Sequence, residues 1–265
     1  MLVSAVQMDV RTRDVRGNIE RAFRHIQEAA RRGSRAVLLP EMWNTGFAYP
    51  DLMDVARAAE APTSEFLRDA AREAKMWVLG TVPEPTPSGV YNTLLWVSPT
   101  GEVAGRYRKA HLFCPTNEDE FFVAGKEAPV VETDFASTGG LICFDIRFPE
   151  LARLLTLGGA KILFVPAQFP NPRRDHWETL LRARAIENQV WVVAANRVGE
   201  SGSLSFFGFS MIVDPWGRIA EGLDAPREGV VTHRIDLELV DDVRSQLPCP
   251  RRPDLYGDLR PVEEE

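Results

Sequence analysis

Three reactive side chains stand where apolar runs give out. Glu41 follows AVLLP at 36–40, Lys109 closes GRYRK, and Cys143 follows GGLI. A cysteine nucleophile needs a base to take its proton and a donor to hold the oxyanion that forms when sulfur attacks a carbonyl. Glu41 suits the first role and Lys109 the second, with Cys143 as the thiol attacking an amide or nitrile carbon. The same glutamate would then hand the proton to departing ammonia and activate water for the second step. Such chemistry calls for no cofactor and no metal. Taken singly, each residue also has an ordinary structural explanation. A strand cysteine is most often buried filler, a glutamate beside proline is a loop charge or a helix cap, and a lysine at a strand end is a solvated charge.

Competing chemistries find little support. The four histidines, His25, His111, His176 and His233, show no HExxH or other paired ligand spacing. A papain-type Cys–His pair would need His111 or His176, and neither sits in a recognisable local signature. There is no GxSxG elbow, no GxGxxG and no GxxxxGK[ST], so serine-hydrolase, dinucleotide and P-loop readings fall away. His111 and Cys114 are close in sequence but lack further ligands, and both are read as structural.

The elements that must position the three residues read as α/β. Strands are predicted over 2–8, 36–40, 76–82, 139–144, 161–166 and 190–196, from short apolar runs bounded by turn residues. Helices are predicted from Val15 to about Ala30, over about 63–75, over 149–157 and over 176–189. PEPTPSG reads as a turn-rich connector. YNTLLWVSPTGEVAGRYRK and GFSMIVDPWGRIAEG read as hairpins turning at PTG and PWG. The stretch 110–128 reads as a long ordered loop with a short helical piece. GVVTHRIDL ends the core, and 251–265 is a Pro- and Glu-rich tail. LLPE at 38–41 and FVPA at 164–167 each close an apolar strand before a loop, and each half later contains a hairpin, a faint duplication. In such architectures ligands collect beyond the carboxyl ends of the strands, where Glu41, Lys109 and Cys143 fall.

With 265 residues, 45% hydrophobic and 26% charged, the chain is an ordinary globular one, long enough to bury its core without staples. A net charge of −7 offers no positive field to nucleic acid or an anionic membrane. Three widely spaced cysteines suggest a reducing compartment rather than a disulfide framework. The opening MLVSAVQMDV reads as a strand rather than a signal peptide, and no apolar run approaches a membrane span. The expectation is a cytoplasmic protein acting on a small molecule.

The ordered set LLPEMWNTGF, GRYRKAHLF and GGLICFDIRFPELARLL, with HWETLLRARAIENQVWVVAANRVG and GFSMIVDPWG downstream, resembles the carbon–nitrogen hydrolase (nitrilase-like) superfamily from residue 2 to about 257. The resemblance implies a four-layer α-β-β-α sandwich built from two similar halves. One domain would span 1–250, and the tail over 251–265 would lie at or near the interface of an assembly of at least two copies. It implies Glu41 as general base and acid, Lys109 as stabiliser of the oxyanion and Cys143 as nucleophile. It adds the backbone N–H of Phe144 as a second oxyanion donor and a further carboxylate that orients the lysine. Glu118, seven residues before Gly125, is the choice for that carboxylate and Glu120 the fallback. Asp145 and Arg147 would brace the nucleophile loop, Arg147 alternatively reaching substrate.

Within the superfamily, MWNTGF, HLF, NEDEFF, RFPE and RRPDLYG most resemble the ω-amidases, which hydrolyse 2-oxoglutaramate or 2-oxosuccinamate with water, releasing ammonia and a dicarboxylic keto acid. A substrate carboxylate calls for an arginine at its far end, and Arg147 and Arg173 are the candidates. Trp43, Phe47, Phe113, Phe148 and Phe169 lie near the catalytic positions in sequence and could form an apolar cup, or be plain core. The segment PAQFPNPRRDHW departs from the ω-amidase pattern, so Gln168 and Phe169 could narrow or re-polarise the pocket. Alternatives are another small amide or N-carbamoyl substrate, then a nitrile, then acyl transfer or a non-catalytic binding protein, the last at odds with an intact Glu–Lys–Cys set.

Overall fold

In the computed structural model, which describes residues 1–257, the chain enters as strand β1 (Leu2–Gln7) and returns as helix α1 (Val15–Arg31). Asp14 caps α1 by accepting the Gly17 N–H at 3.0 Å, and Ala22, Ile26 and Ala29 form its buried stripe. The first half continues with β2 (Ala36–Leu38), α2 (Leu52–Ala74), β3 (Trp77–Thr86), β4 (Gly89–Val97) and β5 (Val103–Arg108). A connecting segment carries the short helix α3 (Glu118–Phe121). The second half contains β6 (Val131–Glu132), β7 (Ser137–Gly140), α4 (Pro149–Leu157), β8 (Ile162–Ala167), α5 (Arg174–Asn188) and β9 (Trp191–Asn196). A small hairpin, β10 (Val198–Ser201) and β11 (Leu204–Phe207), precedes β12 (Ser210–Val213) and β13 (Ile219–Leu223). The last elements are β14 (Gly229–Arg234), α6 (Glu238–Gln246) and α7 (Pro253–Tyr256).

The strands form two six-stranded sheets, ordered β14-β1-β2-β3-β4-β5 and β6-β7-β8-β9-β12-β13. Read in that direction, both show the same succession of pairings: antiparallel, parallel, parallel, antiparallel, antiparallel. The faint duplication in the sequence is therefore a real repeat of topology, with β2 and β8 in equivalent places. The outermost strand on the β1 side comes from the far end of the chain, β14, which ties the two ends together.

Side-chain alternation sorts these strands into layers. Val3, Ala5, Ala36, Leu38 and Leu79 share a core with the second sheet, whereas Val6, Val37, Leu39 and Val78 pack beneath α1 and α2. The second sheet carries α4 and α5 on its outer face. The result is the four-layer α-β-β-α sandwich.

Several boundaries differ from the sequence reading. Helix α2 starts at Leu52, not near 63, and runs through Pro62; its amino-terminal half is held by Leu52, Ala56 and Ala59, too small an apolar stripe to register as a helix. PEPT extends β3 to Thr86, paired with β4 as far as Gly89, so the connector shrinks to two residues. Strand β7 ends at Gly140, and Cys143 opens a 3-10 turn instead of closing a strand. The β10–β11 hairpin and α6 lie in stretches without clear periodicity. Of the tail over 251–265, residues 258–265 lie outside the described residues.

The two sheets approach closely at Gly140, where an added Cβ would stand 2.7 Å from Leu94 Cδ2 and 2.7 Å from Trp96 Cη2. Gly140→Ala should therefore destabilise the protein by about 1–3 kcal/mol through overpacking, read as a lower midpoint in chemical denaturation; an unchanged midpoint would mean that the sheets yield freely there.

Candidate active site

The carboxyl ends of β2 and β5 deliver Glu41 and Lys109 to one buried cluster. Lys109 Nζ donates to Glu41 Oε1 at 2.9 Å and to both oxygens of Glu118, at 2.8 and 2.7 Å. The three side chains are 0–1% exposed. Burial disfavours the lysine's charge, but the Glu118 and Glu41 carboxylates outweigh it and hold the ammonium well above the ordinary lysine range. Burial raises the Glu118 carboxyl, with Lys109 pulling against it and Glu41 adding to it.

Local geometry fixes each member. The segment after Lys109 is stapled to it twice: Glu118 grips its ammonium, and the Gly125 N–H donates to its carbonyl at 2.8 Å. A side chain at 125 would run into the Arg108 carbonyl. Spacing from Gly125 thus has a physical basis, and it selects Glu118; Glu120 is exposed. The Phe113 N–H donates to Glu118 Oε2 at 2.7 Å. Around Glu41, the Gln168 N–H donates to Oε2 and Asn92 Nδ2 to Oε1, each at 2.9 Å, and Asn92 also reaches Glu118 Oε1 at 3.4 Å.

Cys143 lies over this cluster in a left-handed conformation, φ +49°, uncommon for a residue with a side chain. Asp145 holds that turn. Its carboxylate accepts from the Ile142 N–H at 2.9 Å, the Tyr107 hydroxyl at 2.7 Å and the His111 N–H at 3.0 Å, and it lies 2.8 Å from His111 Nδ1. The Phe144 N–H falls in the first turn of the 3-10 segment, where helical geometry supplies no intrahelical acceptor. Burial raises the Cys143 thiol well above its ordinary range, and Glu41 and Glu118 add to that while Lys109 opposes it. The sulfur is thus a neutral thiol at rest, and a base must act when it attacks.

A cavity of about 220 Å³ opens above the sulfur, sized for a small metabolite. Of the residues singled out from sequence, Glu41, Phe47, Lys109, Phe113, Glu118, Cys143, Phe144, Arg147, Gln168, Phe169 and Arg173 line it. Trp43 and Phe148 do not, which corrects their assignment to the cup. Met42, at φ +44°, turns the chain after Glu41 and sends Trp43 to the helix side of the sheet, 5.6 Å from the Phe66 ring. Phe148 stacks on His111 at 3.6 Å and so supports the Asp145 brace. Sequence reasoning missed Tyr49, the hairpin residues Ser201, Leu204 and Phe206, and Asn92. For Asn92 a signal was present, a lone amide in the apolar strand NTLLWV.

Arg147 and Arg173 stand at the cavity wall, and among the described residues neither has a carboxylate within ion-pair distance. Arg147 lies against Phe144 and Phe169, at 5.7 and 5.6 Å, and its Nη2 is 3.1 Å from His176 Nδ1; Arg173 lies over Phe113 at 5.3 Å. Burial, then the like charge of Arg173, lowers the Arg147 pKa. Among the described residues no group of three or more His, Cys, Asp or Glu is placed to hold a metal ion.

Residues 2–245 match the carbon-nitrogen hydrolase family model. A 2-oxoglutaramate amidase of Bacillus subtilis is 38% identical over 258 residues, covering 96% of this chain and 98% of that protein. An omega-amidase of Xenopus tropicalis is 35% identical, covering 91% of each. Among solved structures, the C. elegans NitFhit protein superposes with a TM-score of 0.90 at 35% identity, over 97% of this chain and 66% of that one. The chain belongs to the carbon–nitrogen hydrolase family.

The thiol prediction is direct. The difference in thiolate absorbance between the wild-type protein and Cys143→Ala, which share Cys114 and Cys249, should rise only above the ordinary thiol range, near pH 8.5–9; a step at or below pH 7 would contradict a neutral resting thiol.

Proposed function

We propose that the protein is an amidase acting on a small ω-amido keto acid, 2-oxoglutaramate or 2-oxosuccinamate, through a Cys143 thioester. In this reading Cys143 Sγ attacks the amide carbon as its proton passes to Glu41. The oxyanion is held by the Lys109 ammonium and the Phe144 N–H. Glu41 returns the proton to nitrogen, the C–N bond breaks, and ammonia leaves. Water then attacks the thioester with Glu41 again taking a proton, which goes back to sulfur as the acid departs. Glu118 keeps Lys109 charged and aimed; with two carboxylates on one ammonium, the lysine cannot act as the base.

The observation that carries the substrate class is the pair of arginines, without carboxylate partners among the described residues, at the wall of a cavity whose other charged lining residues belong to the catalytic cluster. Their mutual repulsion is relieved by a bound carboxylate, which places a charged end opposite the reacting amide. The Bacillus relative is named for 2-oxoglutaramate and the Xenopus relative as an omega-amidase, which supports this reading. The reading includes a cytoplasmic protein in an assembly of at least two copies. Leu157 of α4 and Ile186 of α5, half-exposed on the outer helical layer, are side chains that such an assembly could cover. Among the described residues no helix is long and apolar enough to cross a membrane.

Ammonia release should be measured on 2-oxoglutaramate, 2-oxosuccinamate, glutamine, asparagine, an aliphatic amide, an N-carbamoyl amino acid and a nitrile. The keto-acid amides should be preferred, and Arg173→Ala should raise their KM roughly 10–100-fold, the worth of a charge-assisted hydrogen bond, while sparing a neutral amide. Preference for a neutral amide, an N-carbamoyl compound or a nitrile would retain the thioester chemistry and reject the keto-acid reading.

A further inference from the structure

Arg197, directly after β9, is fully buried beside the site, yet the chemistry above leaves it without a role. Its Nη1 donates to Gln168 Oε1 at 2.9 Å, and its Nη2 donates to Asp9 Oδ1 at 3.1 Å and to the Glu200 carbonyl at 3.3 Å. Its guanidinium also lies 4.2 Å from the centre of the Phe206 ring, a cavity-lining residue of the β10–β11 hairpin. Gln168 in turn holds Glu41 at two points: its backbone N–H donates to the carboxylate at 2.9 Å, and its side-chain Nε2 donates to the Glu41 carbonyl at 2.8 Å.

The hydrogen-bonding inventory fixes the sense of this chain. A guanidinium only donates, so the end of the Gln168 amide facing Arg197 must be the oxygen, and the end facing the Glu41 carbonyl must be the NH₂. A non-donating side chain at 197 would remove one of the two bonds that set the amide's orientation and leave only the one to the Glu41 carbonyl, so the clamp would loosen. We infer that Arg197 is a positioning residue for the reaction: it locks the Gln168 amide in the orientation that clamps Glu41, and so aims the base at the Cys143 thiol. It fastens the cavity-wall hairpin from the same point, and the two duties are separable. Clamping Glu41 acts on the chemical step, whereas holding the hairpin acts on substrate binding. The inference rests on Glu41 being the base.

A double-mutant cycle with Gln168→Ala and Arg197→Met, assayed on whichever amide the wild-type protein hydrolyses fastest, separates the duties. Each single variant should lose roughly tenfold or more in kcat, with KM changed far less in Gln168→Ala and raised as well in Arg197→Met, which also releases the hairpin. In the Gln168→Ala background, Arg197→Met should cost no more than about a further factor of two, because the clamp is already gone. Multiplying losses in kcat, or losses confined to KM, would overturn the inference and leave Arg197 as a hairpin anchor. Arg197→Lys, which keeps the charge but loses the planar fork, replaces Arg197→Met in the cycle if the latter does not fold. Glu41→Gln is measured alongside: turnover at the wild-type rate in that variant would remove the base itself, an outcome distinct from failure of the cycle alone.

Discussion

Everything at this site depends on one ammonium sealed between two carboxylates. Taking Lys109, Glu41 and Glu118 out of water is costly, and their attraction offsets that cost only if the remaining lone pairs find donors. The structure supplies them from the Asn92 amide and from the backbone N–H groups of Phe113 and Gln168. The arrangement leaves a cation fixed beside a neutral thiol, with a carboxylate able to take the proton. Charge is thereby stored where it is needed only once the oxyanion forms, and little reorganisation remains for the reaction itself.

The repeated topology explains how such a cluster is assembled. Glu41 and Lys109 come from just past the ends of strands in one sheet and Cys143 from the 3-10 turn that follows β7 of the other, so the nucleophile and its base meet across the interface between the halves. β2 and β8 hold equivalent places, and just beyond their carboxyl ends stand Glu41 and Gln168, which bond to each other. One half has a carboxylate near that point and the other an amide that holds it. The strain at Cys143 is carried by Asp145, whose carboxylate draws three donors, the Tyr107 hydroxyl of β5 and the backbone N–H groups of His111 and Ile142.

What was legible in the sequence follows from this. The reactive residues sit at the ends of short apolar strands, and strand ends are visible as apolar runs meeting polar types; Glu41, Lys109 and Cys143 could be read that way. Glu118 needed the spacing to Gly125, which has meaning because both residues grip Lys109. The misreadings share a cause, backbone turns that sequence distance does not record. Trp43 is two residues from Glu41 and faces the opposite side of the sheet, because Met42 adopts a positive φ. Phe148 is close to Cys143 in sequence but lies beyond a 3-10 turn. The hairpin over 198–207 is rich in Gly and Ser, so its contribution to the cavity wall left no periodic signal. Asn92 showed only as a lone amide in an apolar strand, and Arg197 acts through long-range contacts within the buried core, which no local pattern encodes.

The most direct test of the thioester at Cys143 is to mix the protein with its amide substrate, quench in acid through the first turnover, and weigh the intact protein and its peptides. The wild-type protein should gain the mass of the acyl group on the peptide bearing Cys143, in step with the first equivalent of ammonia, and Cys143→Ala should gain nothing and release none. A folded Cys143→Ala protein that still releases ammonia at the wild-type rate would contradict the account.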